Sequence, residues 1–84
     1  MGELSKLPNI GPNVEAQLNQ AGITTPEQLK ETGSTQAWLK IKAIDDTACI
    51  HRLYALEGAI QGIRKTELPS NKKEELKAFY NHFK

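Results

Sequence analysis

The sequence predicts an all-α fold, a compact single domain of about five helices preceded by a short helical turn. Apolar residues recur every three or four positions along most of the chain, which is the helical period. Pro, Gly, Ser and Thr residues that begin and end helices lie between these segments. No stretch alternates apolar and polar residues as a strand does. We therefore expect one domain over residues 1–84, with a helix-hairpin-helix unit in 4–32 and the remaining helices in 34–84.

The helix-hairpin-helix unit is predicted from a bend between two short helical segments. Pro8 ends the first helical turn, because the residue before a proline is pushed away from helical angles. Asn9 and Gly11 are residue types that tolerate the positive φ of a sharp bend. The apolar positions of the unit are expected to fold onto one inner side; they are Leu4, Leu7, Ile10, Val14, Leu18, Ile23 and Leu29.

Two helices follow the bend. A stripe of apolar residues predicts a helix over Asn13–Ala21, and Gly22 is its expected stop. Thr25 is a predicted N-cap for the short helix Pro26–Thr32, since a capping hydroxyl followed by proline is a typical start. Gln28 stands three residues after Thr25, as a capping box requires.

Three further helices complete the predicted fold. Ser34 is expected to cap a helix over about Thr35–Ile44, and the longest helix is expected over about Thr47–Gly62. Ser70 is expected to cap a last helix, Asn71–Phe83. The inner face of the last helix is predicted to hold Leu76, Phe79, Tyr80 and Phe83.

The longest helix is apolar on more than one side, so it is predicted to be central. Gly58 and Gly62 on it would let another segment approach closely, or Gly62 would end the helix. Cys49 is interpreted as a small core residue. Glu57 lies among apolar residues, and a buried carboxylate must be hydrogen-bonded or neutralised, so we expect it to hold a neighbouring loop or helix end.

Composition excludes several function classes. The net charge is +1, so any basic patch must be local. No apolar run approaches the roughly 20 residues that span a bilayer, and the single cysteine fits a reducing compartment, so a cytoplasmic protein without membrane contact is expected. His51 and His82 are isolated, and no nucleophile-base set, phosphate loop or metal-ligand cluster is present. We therefore predict no enzyme activity, no small-molecule substrate, no cofactor and no metal.

Two segments carry a family resemblance, Leu7–Pro12 (LPNIGP) and Leu53–Gly62 (LYALEGAIQG). With them the chain resembles the C-terminal domain of the TfoX/Sxy competence regulators from about Leu4 to Leu76. The resemblance implies a SAM-like helical bundle that contains a helix-hairpin-helix, and transcription-regulator relatives linked to DNA uptake. Full-length family members carry this domain after a separate N-terminal domain, and the present chain is expected to be a stand-alone copy.

The first function hypothesis is weak, sequence-independent binding of double-stranded DNA by the bend. Backbone N–H groups and a helix N-terminus attract a phosphate, and small residues let the backbone approach it. Asn9 stands where such hairpins usually have a first glycine, and Pro12 has no N–H to donate. The candidate amides are those of Ile10, Gly11 and Asn13; the full candidate phosphate-binding set is Lys6, Asn9, Ile10, Gly11 and Asn13.

The second hypothesis is a protein-interaction or oligomerisation domain that does not bind DNA. Trp38 is interpreted as a core residue, and as an interface anchor if it is exposed. A late basic set would either extend a phosphate-facing surface or form a solvated helix face among glutamates. This set consists of Arg52, Arg64, Lys65, Lys72 and Lys73.

Overall fold

The computed structural model describes residues 3–83, and every regular element in that range is helical. The prediction of an all-α domain with about five helices is confirmed. In chain order the elements are a first 3₁₀ turn (Leu4–Lys6), α1 (Pro12–Gln20), α2 (Pro26–Thr32), α3 (Ser34–Ile44), α4 (Ile50–Gln61), a second 3₁₀ turn (Lys65–Glu67) and α5 (Ser70–His82). Met1, Gly2 and Lys84, at the ends of the predicted domain, lie outside the described residues.

One apolar core joins all five α-helices. The helix α4 is central, since it is buried on several sides and contacts α2, α3, α5 and the second 3₁₀ turn. The predicted inner side of the N-terminal unit is confirmed: its buried members are Leu4, Ile10, Leu18, Ile23 and Leu29. Leu7 and Val14 are half-buried against the same core. The N-terminal unit is therefore held by side chains that face away from its surface.

The capping signals of α1 and α2 act as the sequence predicts. Gly22 has a φ of 88° just after α1, which a residue with a side chain rarely adopts. The Thr25 hydroxyl accepts a hydrogen bond from the Gln28 amide at 3.1 Å. The Gln28 side chain reaches back to the amide of Thr24 at 2.7 Å, one residue before the predicted partner. The capping box therefore uses two neighbouring threonines: Thr25 accepts from the Gln28 amide, and Thr24 donates to the Gln28 side chain.

Two predicted serine caps are wrong. Gly33 occupies the N-cap of α3 and Pro69 that of α5, so Ser34 and Ser70 are the first helical residues. The Ser34 hydroxyl is buried and donates to the Glu57 carboxylate at 2.6 Å. The Ser34 hydroxyl therefore bonds to a residue 23 positions away in the sequence and does not cap its own helix.

The helix α4 begins at Ile50, three residues later than predicted, and Cys49 is its N-cap. Asp45 ends α3, and its side chain accepts from the Thr47 amide at 3.0 Å, which holds the connection as a turn. Cys49 is consequently exposed at the helix start. The interpretation of Cys49 as a core residue is wrong, because the local Asp45 turn delays the helix.

The last helix packs through aromatic side chains. Phe79 and Tyr80 meet the Trp38 ring edge to face, with centroids 6.0 and 5.6 Å apart. Leu76 is buried, as predicted. Phe83 is 48% exposed, so its placement on the inner face is wrong: it lies just past the end of α5, where its ring contacts those of Phe79 and His82.

Candidate nucleic-acid interface

The bend before α1 is closed by backbone geometry at two residues. Leu7 is extended before Pro8, with ψ 149°, and Asn9 has the positive φ of 69° that the sequence predicts for this position. The Ile10 amide donates to the Leu7 carbonyl at 3.4 Å, and the Ile10 side chain is 6% exposed. The Ile10 side chain therefore belongs to the core, and its N–H bonds within the bend. The prediction that the Ile10 amide is an outward-facing donor is wrong.

The Asn9 side chain holds the bend against α4 and the segment that follows it. Its amide group donates to the carbonyls of Ile63 at 3.0 Å and Ala55 at 3.4 Å. Its carbonyl accepts from the Lys65 amide at 3.1 Å. The side chain of Asn9 is thus committed inward, so it does not act as a phosphate ligand in this conformation.

Gly58 makes this close approach feasible. A Cβ built on Gly58 would lie 2.6 Å from the Asn9 side-chain nitrogen and 2.8 Å from the Ile63 carbonyl oxygen. The predicted close approach at Gly58 is confirmed. The segments that approach it are the bend and the residues just after α4. Gly62 has a left-handed φ of 76° and ends α4, as its alternative interpretation predicts.

The two remaining candidate amides, those of Gly11 and Asn13, are open, and so is that of Val14, which was not predicted from the sequence. No acceptor within residues 3–83 takes the N–H groups of Gly11, Asn13 or Val14, and the first α1 amide to bond inward is that of Glu15, to Gly11. A Cβ built on Gly11 would meet nothing within 4 Å, so the space in front of the backbone is empty of protein. These N–H groups are therefore free to bind an external acceptor.

The charged groups around the bend are divided between the inside and the surface. Glu15 is 5% exposed and accepts the Ser5 amide at 3.1 Å, which ties the first 3₁₀ turn to α1. Lys6, at the last position of that turn, is exposed. Lys6 is thus placed on the surface next to the bend in sequence, as the phosphate hypothesis requires.

A cleft of about 240 Å³ opens beside the bend. Its lining residues are Asn9, Val14, Cys49, His51, Arg52, Ala55 and Lys65. The sequence interpretation assigned Arg52 and Lys65 only to a loose basic set and gave His51 no function. Asn9, which holds the Lys65 backbone beside the cleft, lies 56 residues from Lys65 in the sequence, so no local signal could have indicated this grouping.

Asp45 joins three helices through its side chain. Its carboxylate accepts from the Thr47 hydroxyl and amide, from Arg52 at 3.1 Å and from Gln17 at 2.9 Å. These hydrogen bonds, those from Thr47 above all, hold the pKa of the Asp45 carboxyl well below its usual range. Asp45 is a structural junction between α1, α3 and α4.

Comparison with known proteins decides the family. The model of the TfoX C-terminal domain matches residues 1–80. The chain belongs to the TfoX C-terminal domain family. Protein Sxy of Escherichia coli strain K12 is 34% identical over 73 residues, which is 87% of this chain and 35% of Sxy. The chain therefore spans about a third of the length of this curated relative.

Two crystal structures from Listeria monocytogenes share the architecture of this TfoX C-terminal domain. The triclinic form of an uncharacterized protein has a TM-score of 0.94 and 51% identity, covering 95% of this chain and 91% of that one. The tetragonal form of a protein of unknown function gives the same TM-score and identity, covering 96% and 99%. The chain is thus similar to experimentally determined folds over nearly its whole length.

In this TfoX C-terminal domain, Trp38 belongs to the core. The ring is 1% exposed, and its N–H donates to the Cys49 carbonyl at 3.2 Å. The core interpretation is confirmed. The alternative of an interface anchor depended on exposure, which the structure contradicts, because α5 aromatics cover the ring.

Glu57 fulfils the structural expectation. It is 8% exposed and accepts from Ser34 at 2.6 Å and from Gln61 at 2.5 Å, with the Lys72 ammonium 3.9 Å away. It therefore connects the start of α3 with α4 and α5. Within residues 3–83, no group of three His, Cys, Asp or Glu residues could hold a metal ion, and no helix is long and apolar enough to cross a membrane.

Proposed function

We propose that this TfoX C-terminal domain is a non-enzymatic module that binds the phosphates of double-stranded DNA through its first bend. The observation that supports this most directly is the set of open N–H groups at Gly11, Asn13 and Val14. They stand at the N-terminus of α1, where partial positive charge favours an anion. Exposed Lys6 adds a full positive charge nearby in sequence.

Such a contact reads no sequence. Main-chain donors meet phosphate oxygens, which carry no base information, so they position a protein on the duplex without selecting a site. A single bend on a domain of net charge +1 neutralises few phosphates. We expect a Kd toward the weak end of non-specific binding, on the order of 10⁻⁴ M, that weakens further with salt.

Family membership supports a DNA-related function. The domain resembles that of competence regulators, which are linked to DNA uptake, and protein Sxy shares 34% identity with it. A phosphate-binding domain would raise the local concentration of DNA near the rest of such a regulator. In that arrangement, specificity and transcriptional output belong to other parts of the protein or to its partners.

Gly11→Val is the sharpest single-residue test. The Gly11 backbone has φ −95°, which any residue adopts, and its surroundings leave room for a side chain. The variant therefore folds, but its branched side chain stands where a phosphate would approach. In fluorescence anisotropy with a labelled duplex at low salt, we expect about a tenfold loss of affinity, which corresponds to roughly one lost contact of 1.4 kcal/mol.

Ala78→Val serves as the matched control, because Ala78 is exposed on α5 and lies outside the bend. It should leave DNA affinity unchanged. A second pair removes one charge each: Lys6→Gln should weaken binding, and Lys30→Gln, on the exposed face of α2, should not. The proposal fails if wild-type protein near about 1 mM does not bind the duplex, or if Gly11→Val binds as well as Ala78→Val.

A second candidate is a protein-interaction module, which the exposure of two large apolar side chains favours. Ile44 is 46% exposed at the end of α3, and Phe83 is 48% exposed after α5. Association through such side chains is insensitive to salt, whereas phosphate binding weakens steeply with it. Sedimentation velocity of wild type and of an Ile44→Gln, Phe83→Gln variant, at low and high salt, tests this second candidate.

A further inference from the structure

We propose that the cleft beside the bend is a phosphate site, which takes a second phosphate of the DNA held at the bend. The cations of Arg52 and Lys65 and the imidazole of His51 line it, and no carboxylate does. The Asp45 carboxylate pairs with Arg52 at 3.1 Å, so the positive charge of this concave surface that no described carboxylate balances is that of Lys65. This inference rests on the proposed function, because DNA is the molecule that would supply the phosphate. The case that a phosphate binds here rests on the cleft and its donors.

The basic groups of the cleft retain free donors. Lys65 is fixed through its backbone amide by Asn9, while its ammonium makes no ion pair with any residue in the range 3–83. Arg52 uses one terminal nitrogen for Asp45, at 3.1 Å, and a guanidinium has five N–H donors. The cleft thus has a positioned lysine and an arginine whose orientation is already set by its carboxylate partner.

The start of α4 has further open donors, and Cys49, His51 and Arg52 of this segment line the cleft. The first α4 amide to bond inward is that of Arg52, to the Cys49 carbonyl at 3.1 Å. The N–H groups of Ile50 and His51 therefore have no acceptor among the described residues, and Cys49 provides no side-chain cap. An oxyanion in the cleft would satisfy groups that the chain itself leaves open.

The size of the cleft fits a single small group. A volume of about 240 Å³ lies below the roughly 300–1,000 Å³ of sites for drug-sized molecules. A phosphate fits this space and matches the donors, and Asn9 and Val14 place the cleft next to the bend. Two neighbouring phosphate contacts would then orient the domain on a DNA backbone, which a single contact cannot do.

The first arm of the test uses inorganic phosphate. Amide resonances of the uniformly ¹⁵N-labelled protein are followed during titration with sodium phosphate, and with sodium chloride at matched ionic strength. We expect saturable shifts at Ile50, His51 and Lys65 with phosphate only, and their loss in Lys65→Gln. The absence of saturable shifts at the cleft, or equal shifts in Lys65→Gln, overturns the proposal.

The second arm uses a labelled duplex over a range of salt concentrations. Lys65→Gln should lower the slope of log K against log salt by about 1, the value for one lost phosphate contact. Lys73→Gln is the matched control, since Lys73 is half-buried, makes no ion pair within residues 3–83 and does not line the cleft. Its slope should equal that of wild type.

The two arms separate the sources of the phosphate. Shifts with inorganic phosphate together with a lower slope support a DNA-phosphate site. Shifts with an unchanged slope support a site for free phosphate and overturn the DNA source. Gly11→Val reports on the bend independently, so failure of the cleft leaves the proposed function to be judged by that variant alone.

Discussion

Asn9 shows how one residue serves two purposes. Its left-handed φ of 69° makes the bend, and its side chain joins the bend to one backbone carbonyl within α4 and to two backbone groups just after it. The first property follows from residue type and was predictable. The second depends on segments 46 to 56 residues away, which no local pattern identifies.

Gly58→Ala is expected to destabilise the domain. The new Cβ would lie 2.8 Å from the Ile63 carbonyl oxygen, a backbone atom that cannot rotate away, so the α4 exit must move. Overpacking of this kind costs about 1–3 kcal/mol, and alanine returns up to about 1 kcal/mol of helix propensity. We expect a net loss of about 1–2 kcal/mol, which lowers Tm by roughly 4–16 °C in a domain of this size.

Gly11→Ala is the control for this prediction, since its Cβ would meet nothing within 4 Å and its φ is not left-handed. Differential scanning calorimetry should find its Tm close to that of wild type, because alanine restricts the unfolded chain but is less favourable than glycine at the N-cap of α1. A Gly58→Ala protein as stable as Gly11→Ala would show that the contact between the bend and α4 is looser than described.

At the scale of elements, the sequence correctly predicted those helix ends that depend on contacts between neighbouring residues. The Thr25 cap and the Gly62 stop involve neighbours in sequence, and both are present. Ser34 and Cys49 were misassigned because the Glu57 carboxylate takes the serine hydroxyl and the Asp45 turn delays α4. The candidate site divides in the same way. Residue types indicated the amides of Gly11 and Asn13, whereas the inward bond of the Ile10 amide, the open Val14 amide and the cleft were not predicted.

Asp45 predicts an acid-sensitive junction between α1, α3 and α4. Its folded-state pKa is lowered by hydrogen bonds from Thr47, Arg52 and Gln17. The unfolded chain therefore binds a proton more readily, so this contribution to stability is present above the unfolded pKa of about 3.9 and is lost as pH falls below it. We expect the Tm difference between wild type and Asp45→Asn to be largest near neutral pH and to shrink below about pH 4.

Thermal unfolding followed by circular dichroism, from pH 7 to about pH 2.5, checks this expectation. Asp46→Asn is the matched control, because its carboxylate makes no hydrogen bond or ion pair with residues 3–83. Its Tm should follow that of wild type at every pH. A difference for Asp45→Asn that stays constant across the range would assign its effect to packing and not to charge.

At the scale of the whole molecule, the fold turns its apolar side chains inward and leaves the bend and cleft on one surface region. The packing includes close backbone contacts, such as that of Gly58 beside Asn9. The proposed phosphate-binding surface consists of backbone donors and a few basic side chains. Backbone donors leave little trace in a sequence, which is why fold was predictable here and function much less so.

The most direct measurement is an amide-resolved NMR titration of the wild-type domain with a short unlabelled duplex at low salt. Open N–H groups that bind phosphate must shift first and most, so we expect the largest changes at Gly11, Asn13 and Val14, and their reversal on adding salt. Changes confined to the region of Ile44 and Phe83, or none at about 1 mM duplex, would contradict phosphate binding by the bend.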